Sequence, residues 1–336
     1  MGFLELCSVP VVAAPMAGGP STPLLVVEAA RAGSLGFLPA GYRTVEQLAA
    51  DIAAVRSSTE VFGVNVFVPE RATVDRGPVL AYRELIAPVA EQVGIKLGTP
   101  RWDDDDSWNP KLDLLCASPV PWVSFTFGLP DVDTVARLRR SGTRILMTVT
   151  SKDEALLAAD LAPDGLVVQS ADAGGHRGTF DQHRAPGVEP LPDLVSEIRA
   201  VTGLPVIAAG GLATREQVAV VLKAGADAAQ VGTALLLADE AGTRPTHRRA
   251  IADPTSTTTP MRAFTGRVAR GVGNAFSRRY DSAAPAGYPA IHHITAPLRR
   301  WAADHDDRDH LHLWAGTGHR HARPGKVRDL LTALIP

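Results

Sequence analysis

The sequence predicts an α/β fold: a (β/α)8 TIM barrel with a smaller, partly helical C-terminal domain. Three observations lead there. Apolar runs of strand length alternate with amphipathic helical stretches up to about residue 240, as in a parallel sheet whose crossovers are helices. Eight such runs can be counted, and eight units close a barrel. The last two runs end in glycine-bearing turns, Gly210-Gly211 and Gly232-Thr233, where barrels of this kind commonly bind phosphate. An open doubly wound sheet would carry G-x-G-x-x-G after its first strand. Here that turn reads Met16-Ala17-Gly18-Gly19-Pro20 and does not match.

In chain order, the first strand is expected over 11–17, and Thr22-Pro23 opens a helix with Pro where its missing N–H does no harm. The second strand, 35–40, leads to a capping box of Thr44 and Gln47, and the third spans 61–67 with Asn65 near its end. Residues 68–121 break the repeat as an irregular insertion with one helix near 79–93. They hold an acidic loop, Asp103 to Asp106 between Trp102 and Trp108. Adjacent aspartates do not converge on one point, so the run reads as a solvated loop and no metal site is expected. The repeat resumes with strands at 122–127 and 144–149, a helix at 132–140, and a second capping box of Ser151 and Glu154. Strand six is 166–170, followed by a loop rich in His, Arg and Pro and a helix near 191–201. Strand seven is 205–209, Thr214 and Gln217 make a third capping box, Gly225 closes that helix, and strand eight is 228–231. The division is therefore 1–240 for the barrel and 241–336 for a short-helix segment at its mouth.

Composition narrows the class. With 45% hydrophobic and 21% charged residues over 336 positions, the chain is of the soluble globular type. A formal net charge of -2 gives no reason to expect nucleic acid or an anionic membrane as partner. Cys7 and Cys116 form neither a metal-ligand spacing nor a disulfide framework, which suits a reducing, cytoplasmic setting. Residues 1–6 lack a leader pattern, and no apolar run reaches the roughly 20 residues of a membrane span.

Chemistry concentrates at the predicted strand ends. The glycines at 210, 211 and 232 permit close backbone approach to phosphate oxygens, and Thr233 adds a hydroxyl donor. From there a ligand would reach Met16, Asn65, Gln169 and Gln230; the amides among these can both donate and accept, as the pyrimidine edge of a flavin requires. The sixth run continues into Ala173-Gly174-Gly175-His176-Arg177-Gly178, which presents a histidine at the barrel mouth between glycines. His176 is the candidate general base or donor. Other histidines, such as His310 and His312, have no partner in sequence that completes a metal site.

Ala14-Pro15-Met16-Ala17-Gly18, Asn65, Gln169 with the Gly174-Gly175-His176 element, Ala209-Gly210-Gly211 and Gln230-Val231-Gly232-Thr233 resemble the nitronate monooxygenases, formerly called 2-nitropropane dioxygenases. The resemblance continues in Arg262-Ala263-Phe264-Thr265-Gly266-Arg267 and Leu313-Trp314-Ala315-Gly316. It implies FMN as cofactor, contacted by Asn65, Gln169, Gly174, Gly211, Gln230, Gly232 and Thr233, and His176 as the catalytic histidine; Met16, Gly175 and Gly210, at the same strand ends and turns, complete the expected cofactor site. The implied reaction converts a nitronate and O2 to a carbonyl compound and nitrite. The same elements are similar to the FMN-containing enoyl-acyl-carrier-protein reductases, which usually carry Glu where this chain has Gln169. The expected partners are thus a small nitronate and O2, with a homodimer left open.

Overall fold

The computed structural model describes residues 7–70 and 73–336; residues 1–6 lie outside them. The first half of the barrel is β1 (Val11–Ala13), α1 (Pro23–Arg31), β2 (Leu35–Pro39), α2 (Val45–Arg56), β3 (Phe62–Phe67), α3 (Arg76–Gln92), α4 (Trp108–Ala117) and β4 (Trp122–Thr126). There follow α5 (Val132–Arg140), β5 (Arg144–Val149), α6 (Lys152–Ala159), β6 (Gly165–Gln169), β7 (Gly175–His176), α7 (Leu191–Thr202), β8 (Val206–Ala209), α8 (Arg215–Lys223) and β9 (Ala228–Val231). The C-terminal segment holds α9 (Pro245–Ala252), β10 (Thr258–Met261), β11 (Ala269–Val272), α10 (Ala275–Tyr280), α11 (Ala290–Asp304) and α12 (Val327–Ala333). Eight parallel strands close in the order β1-β2-β3-β4-β5-β6-β8-β9, with β9 pairing back onto β1 through Val12 and Gln230. This is the expected (β/α)8 barrel.

Two apolar layers hold it. One packs the helices on the outer strand faces, for example Leu48 and Ile52 of α2 with Val64, and Val195 and Ile198 of α7 with Val206. The other fills the barrel and consists almost wholly of strand residues: Val12, Leu35, Phe37, Trp122, Leu146, Val167, Ile207 and Ala228. Side chains alternate along a strand, so the next inward position lies two residues on. From Trp122, Leu146, Val167 and Ala228 that step reaches Ser124, Thr148, Gln169 and Gln230. The interior therefore changes from apolar to polar toward the C-terminal ends of the strands, where barrel enzymes keep their chemistry.

Local signals explain most of the boundaries. Thr22 caps α1 by accepting from Leu25 N–H, and Thr44–Gln47 and Thr214–Gln217 form reciprocal capping boxes. Several expectations need correction. β1 stops at Ala13, because Pro15 cannot donate to a ladder and the chain turns through Gly18 and Gly19 at positive φ. Ser151 caps α6, but the Glu154 carboxylate turns to Thr150 and Phe180 N–H instead of closing a box. The stretch 68–121 contains a second helix, α4, whose N-cap Ser107 sits at φ 56° with no side-chain cap.

The aspartate run is not simply solvated. Asp104 meets His293 Nε2 at 2.5 Å, and Asp106 pairs with the fully buried Lys111 at 2.7 Å while accepting from Tyr42 N–H. The C-terminal segment is also more ordered than its composition suggests. α11 runs 15 residues despite Pro297 within it, and a small antiparallel sheet, β10-β11-β7, joins it to the loop after β6. One apolar cluster unites Val79, Tyr82 and Ile86 of α3 with Phe264, Phe276, Ile291 and Ile294.

Candidate active site

A cavity of about 580 Å³ opens at the C-terminal ends of the barrel strands, within the roughly 300–1,000 Å³ usual for cofactor and substrate sites. Every residue singled out from sequence lines it: Met16, Asn65, Gln169, Gly174, Gly175, His176, Gly210, Gly211, Gln230, Gly232 and Thr233. No Asp or Glu does so among the described residues.

The floor is the polar layer of the barrel. Asn65, 3% exposed, donates through Nδ2 toward the Ser124 carbonyl (3.2 Å), Ser124 Oγ (2.9 Å) and Thr126 Oγ1 (3.0 Å), and Thr126 meets Thr148 Oγ1 at 3.1 Å. With its nitrogen committed to the wall, the amide oxygen of Asn65 is the half left to meet a ligand. Met16 is held by its N–H donating to Ser21 Oγ at 2.9 Å. Gln169 also works on the chain beside it. Its Nε2 donates to the His176 carbonyl (3.2 Å), and its Oε1 accepts from Gly178 N–H (2.8 Å). The side chain thus braces the loop that carries His176.

One side of the cavity is a seam that only glycine allows. Gly210 and Gly211 sit at φ 129° and 70°. A Cβ on Gly210 would lie 2.3 Å from Ser170 Oγ, and one on Gly174 would lie 2.5 Å from Gly316 N. Backbone from 172–174, 210–211 and 316–317 therefore packs together, tied by Thr317 N–H to Asp172 O at 3.0 Å. Gly316 N–H donates to Thr233 Oγ1 at 2.9 Å, which leaves the Thr233 hydroxyl proton free for an acceptor in the cavity. Gly316 and Thr317 complete this corner from a remote segment.

His176 stands on β7, a strand of two residues paired with β11 through Ala269 and Arg270. Its Nε2 lies 2.9 Å from Thr265 Oγ1. Phe127, Tyr288 and Trp314 surround the ring, with centroids 5.9, 5.9 and 5.5 Å away. Burial, and then the charges of Arg267 and Arg299, push its pKa down to about 3, so the ring is neutral at neutral pH.

The outer wall comes from the C-terminal segment and is cationic and aromatic. Arg244, Arg299, Arg300, His247, His292, His312 and Trp314 line the cavity there. Arg299 donates to the His292 carbonyl at 2.7 Å and to Thr295 Oγ1 at 3.0 Å, and His292 stacks on Tyr42 at 4.4 Å. Burial lowers the pKa of His292 and His312 well below the ordinary value, with Arg299 the next cause for both. Arg267, 1% exposed, anchors the wall to the barrel by pairing with Glu70 at 3.1 Å and lying 4.2 Å over the Phe127 ring.

Sequence reasoning left out Tyr42, Thr265, His292, Arg299 and His312. The available signals were the Arg262-to-Arg267 and Leu313-to-Gly316 stretches and the pair His292-His293, but nothing local shows that they converge on one cavity.

A cavity of this size at the C-terminal ends of the strands, with a glycine-lined corner and a histidine at its mouth, is the kind of site that barrel enzymes carry. The family model for nitronate monooxygenase matches residues 3–336, and the chain belongs to that family. A probable nitronate monooxygenase of Staphylococcus aureus strain Newman is 32% identical over 333 residues, covering 97% of this chain and 93% of the relative. The crystal structure of nitroalkane oxidase from Streptomyces ansochromogenes superposes with a TM-score of 0.94 at 43% identity, covering 98% of this chain and 96% of that one. FabK from Thermotoga maritima matches with a TM-score of 0.75 at 21% identity, over 98% and 93% of the two chains, a likeness of fold alone. The family is flavin-dependent in general. No helix among the described residues is long and apolar enough to cross a membrane.

Proposed function

We propose that this chain is an FMN-dependent monooxygenase that converts alkyl nitronates and O2 to a carbonyl compound and nitrite, with His176 as the residue that meets the substrate. The observation that carries the reading is the division of one cavity into two halves. A neutral, hydrogen-bonding barrel side faces a cationic wall, with His176 between them and, among the described residues, no carboxylate on either.

The residues present fit FMN. The Gly210-Gly211 turn and the Gly232-Thr233 turn would hold its phosphate, the freed Thr233 hydroxyl adding a donor, as expected for the ends of the last two barrel strands. Asn65, Gln230 and the unused capacity of Gln169 would meet its polar ring edge. When bound, the flavin supplies the redox chemistry and the reaction with O2. The protein does the rest. Arg244, Arg299 and Arg300 favour an anionic substrate such as a nitronate. Phe127, Tyr288 and Trp314 flank the substrate end and limit water around His176. For a substrate arriving as the neutral nitroalkane, His176 accepts the α-proton. The C–H bond breaks, an N–H bond forms on the ring, and the electron pair stays on the substrate as its nitronate.

Oxygen uptake and nitrite release on feeding an alkyl nitronate test the reaction, and feeding the parent nitroalkane tests His176 as the base. His176→Ala should keep its flavin content while kcat falls about 10²–10⁴-fold. A variant with wild-type kcat would remove His176 from the chemistry.

A further inference from the structure

His176 lies against one hydroxyl that sequence reasoning did not assign, Thr265 Oγ1, 2.9 Å from its Nε2. Thr265 is 1% exposed. It sits in a pinned turn: Thr265 N–H and Gly266 N–H donate to the Arg262 carbonyl at 3.1 and 2.8 Å. The Asp281 carboxylate accepts from the N–H groups of Arg262 and Ala263. Gly266, at φ 81°, leaves no room for a Cβ, which would fall 2.7 Å from the Gly287 backbone. The hydroxyl therefore has a fixed position relative to the ring.

The backbone that carries the ring is fixed from behind. Gln169 Nε2 donates to the His176 carbonyl, and β7 pairs with β11. What remains is the position of the imidazole proton. Thr265 has a single hydroxyl hydrogen and two acceptors within reach, the Arg267 carbonyl at 3.2 Å and, in one tautomer, His176 Nε2. If Nε2 lacks a proton, only one of the two contacts can be a hydrogen bond. If Nε2 carries the proton, it donates to Thr265, Thr265 donates to Arg267 O, and both are made. Leaving a buried polar contact unmade costs more than the average worth of a hydrogen bond.

We propose that Thr265 fixes the tautomer of His176, keeping the proton on Nε2 and presenting Nδ1 to the substrate as proton acceptor. Among the described residues the ring's hydrogen bonding runs through Nε2 to Thr265, and His176 lines the cavity. The proposal rests on the reading of His176 as the residue that meets the substrate. Thr265 is a positioning residue: it acts through the ring and leaves the chemistry to His176. A base held in the right tautomer matters for a neutral nitroalkane, whose α-proton must be removed. It matters far less for a nitronate supplied already deprotonated.

The test uses the flavin-loaded protein labelled with 15N-histidine, the His176 signal being identified by its loss in His176→Gln. The wild-type spectrum should show the proton on Nε2. Thr265→Val should convert this to a tautomer mixture and lower kcat on the nitroalkane about 3–30-fold, the range set by loss of one hydrogen bond with some reorientation. On the preformed nitronate of the same compound, kcat should change less than about 2-fold by the same reasoning. Thr265→Ser should restore both readouts. A wild-type proton on Nδ1, or a Thr265→Val protein with unchanged tautomer and an unchanged nitroalkane-to-nitronate rate ratio, overturns the proposal. Should the valine variant not fold, the wild-type spectrum and the serine variant still decide it. A wild-type protein with the proton on Nε2 that turned over neither substrate would uphold the tautomer assignment and sink the functional reading instead.

Discussion

The two halves of the cavity are built from different chemistry. The barrel half is neutral and amide- or hydroxyl-bearing, with Asn65, Ser124, Thr126, Thr148, Gln169 and Gln230 projecting from successive strands. The C-terminal half is cationic and aromatic, with Arg244, Arg299, Arg300, His247, His292, His312 and Trp314. The difference teaches a division of labour. A strand framework repeats geometry, so it suits a site that holds one rigid group by many weak, fixed hydrogen bonds. The capping segment has no repeat and supplies charge, ring walls and the hydroxyl beside His176, a set suited to selecting and orienting a smaller partner. His176 belongs to both halves, anchored to the barrel by Gln169 and to the cap by β11 and Thr265.

The comparison can be broken most severely at the joint between the halves. Arg267 reaches from the cap to Glu70 beyond β3, with both side chains almost fully buried. Removing one partner leaves a buried charge without its counterion, so Glu70→Gln should cost about 3–5 kcal/mol of stability. Thermal unfolding would read this as a large fall in Tm. A shift of only a degree or two would mean that the cap is held chiefly by the apolar cluster around Phe264.

Acid should sharpen it next, because the buried imidazoles lie at the cap. Burial, then Arg267 and Arg299, takes His176 to about 3, and burial takes His247 to about 4 even though its bond to the Trp314 carbonyl works the other way. Both folded values lie below the ordinary 6.5. Between 6.5 and those values the unfolded chain binds protons that the folded chain refuses. Stability is therefore full above about pH 6.5 and declines as pH falls, by up to about 1.4 kcal/mol per pH unit for each such histidine. Denaturant midpoints from about pH 4 to about pH 7 check the sign; a midpoint that rose on acidification would contradict the buried, neutral ring. Smaller still is the effect expected of Thr265→Val, which changes where a proton sits and leaves the architecture in place.

What could be read in advance follows the same division. Barrel strands announce themselves locally, as apolar runs followed by helices capped at Thr22, Thr44 and Thr214, so fold and barrel-side residues were legible. β7 has two residues, too few to carry any period, although it holds His176. α4 begins at a left-handed serine without a cap, and α11 carries a proline in its interior, so both lack the usual helix signals. The Thr265–His176 contact joins positions 89 apart; its meaning exists only once β11 has paired with β7. Gln169 lines the cavity as the strand pattern suggests, yet no spacing in the chain says that its amide braces the histidine loop.

The central claim is that this cavity turns over nitronates with O2, in place of passing electrons from a nicotinamide to an enoyl thioester. The most direct measurement sets the purified protein, loaded with FMN, against both substrates in parallel. Nitrite release coupled to oxygen uptake on an alkyl nitronate, with no bleaching of the flavin by NADH or NADPH under anaerobic conditions, is the predicted result. Rapid bleaching by a nicotinamide, with enoyl thioester consumed and no nitrite formed, would contradict it.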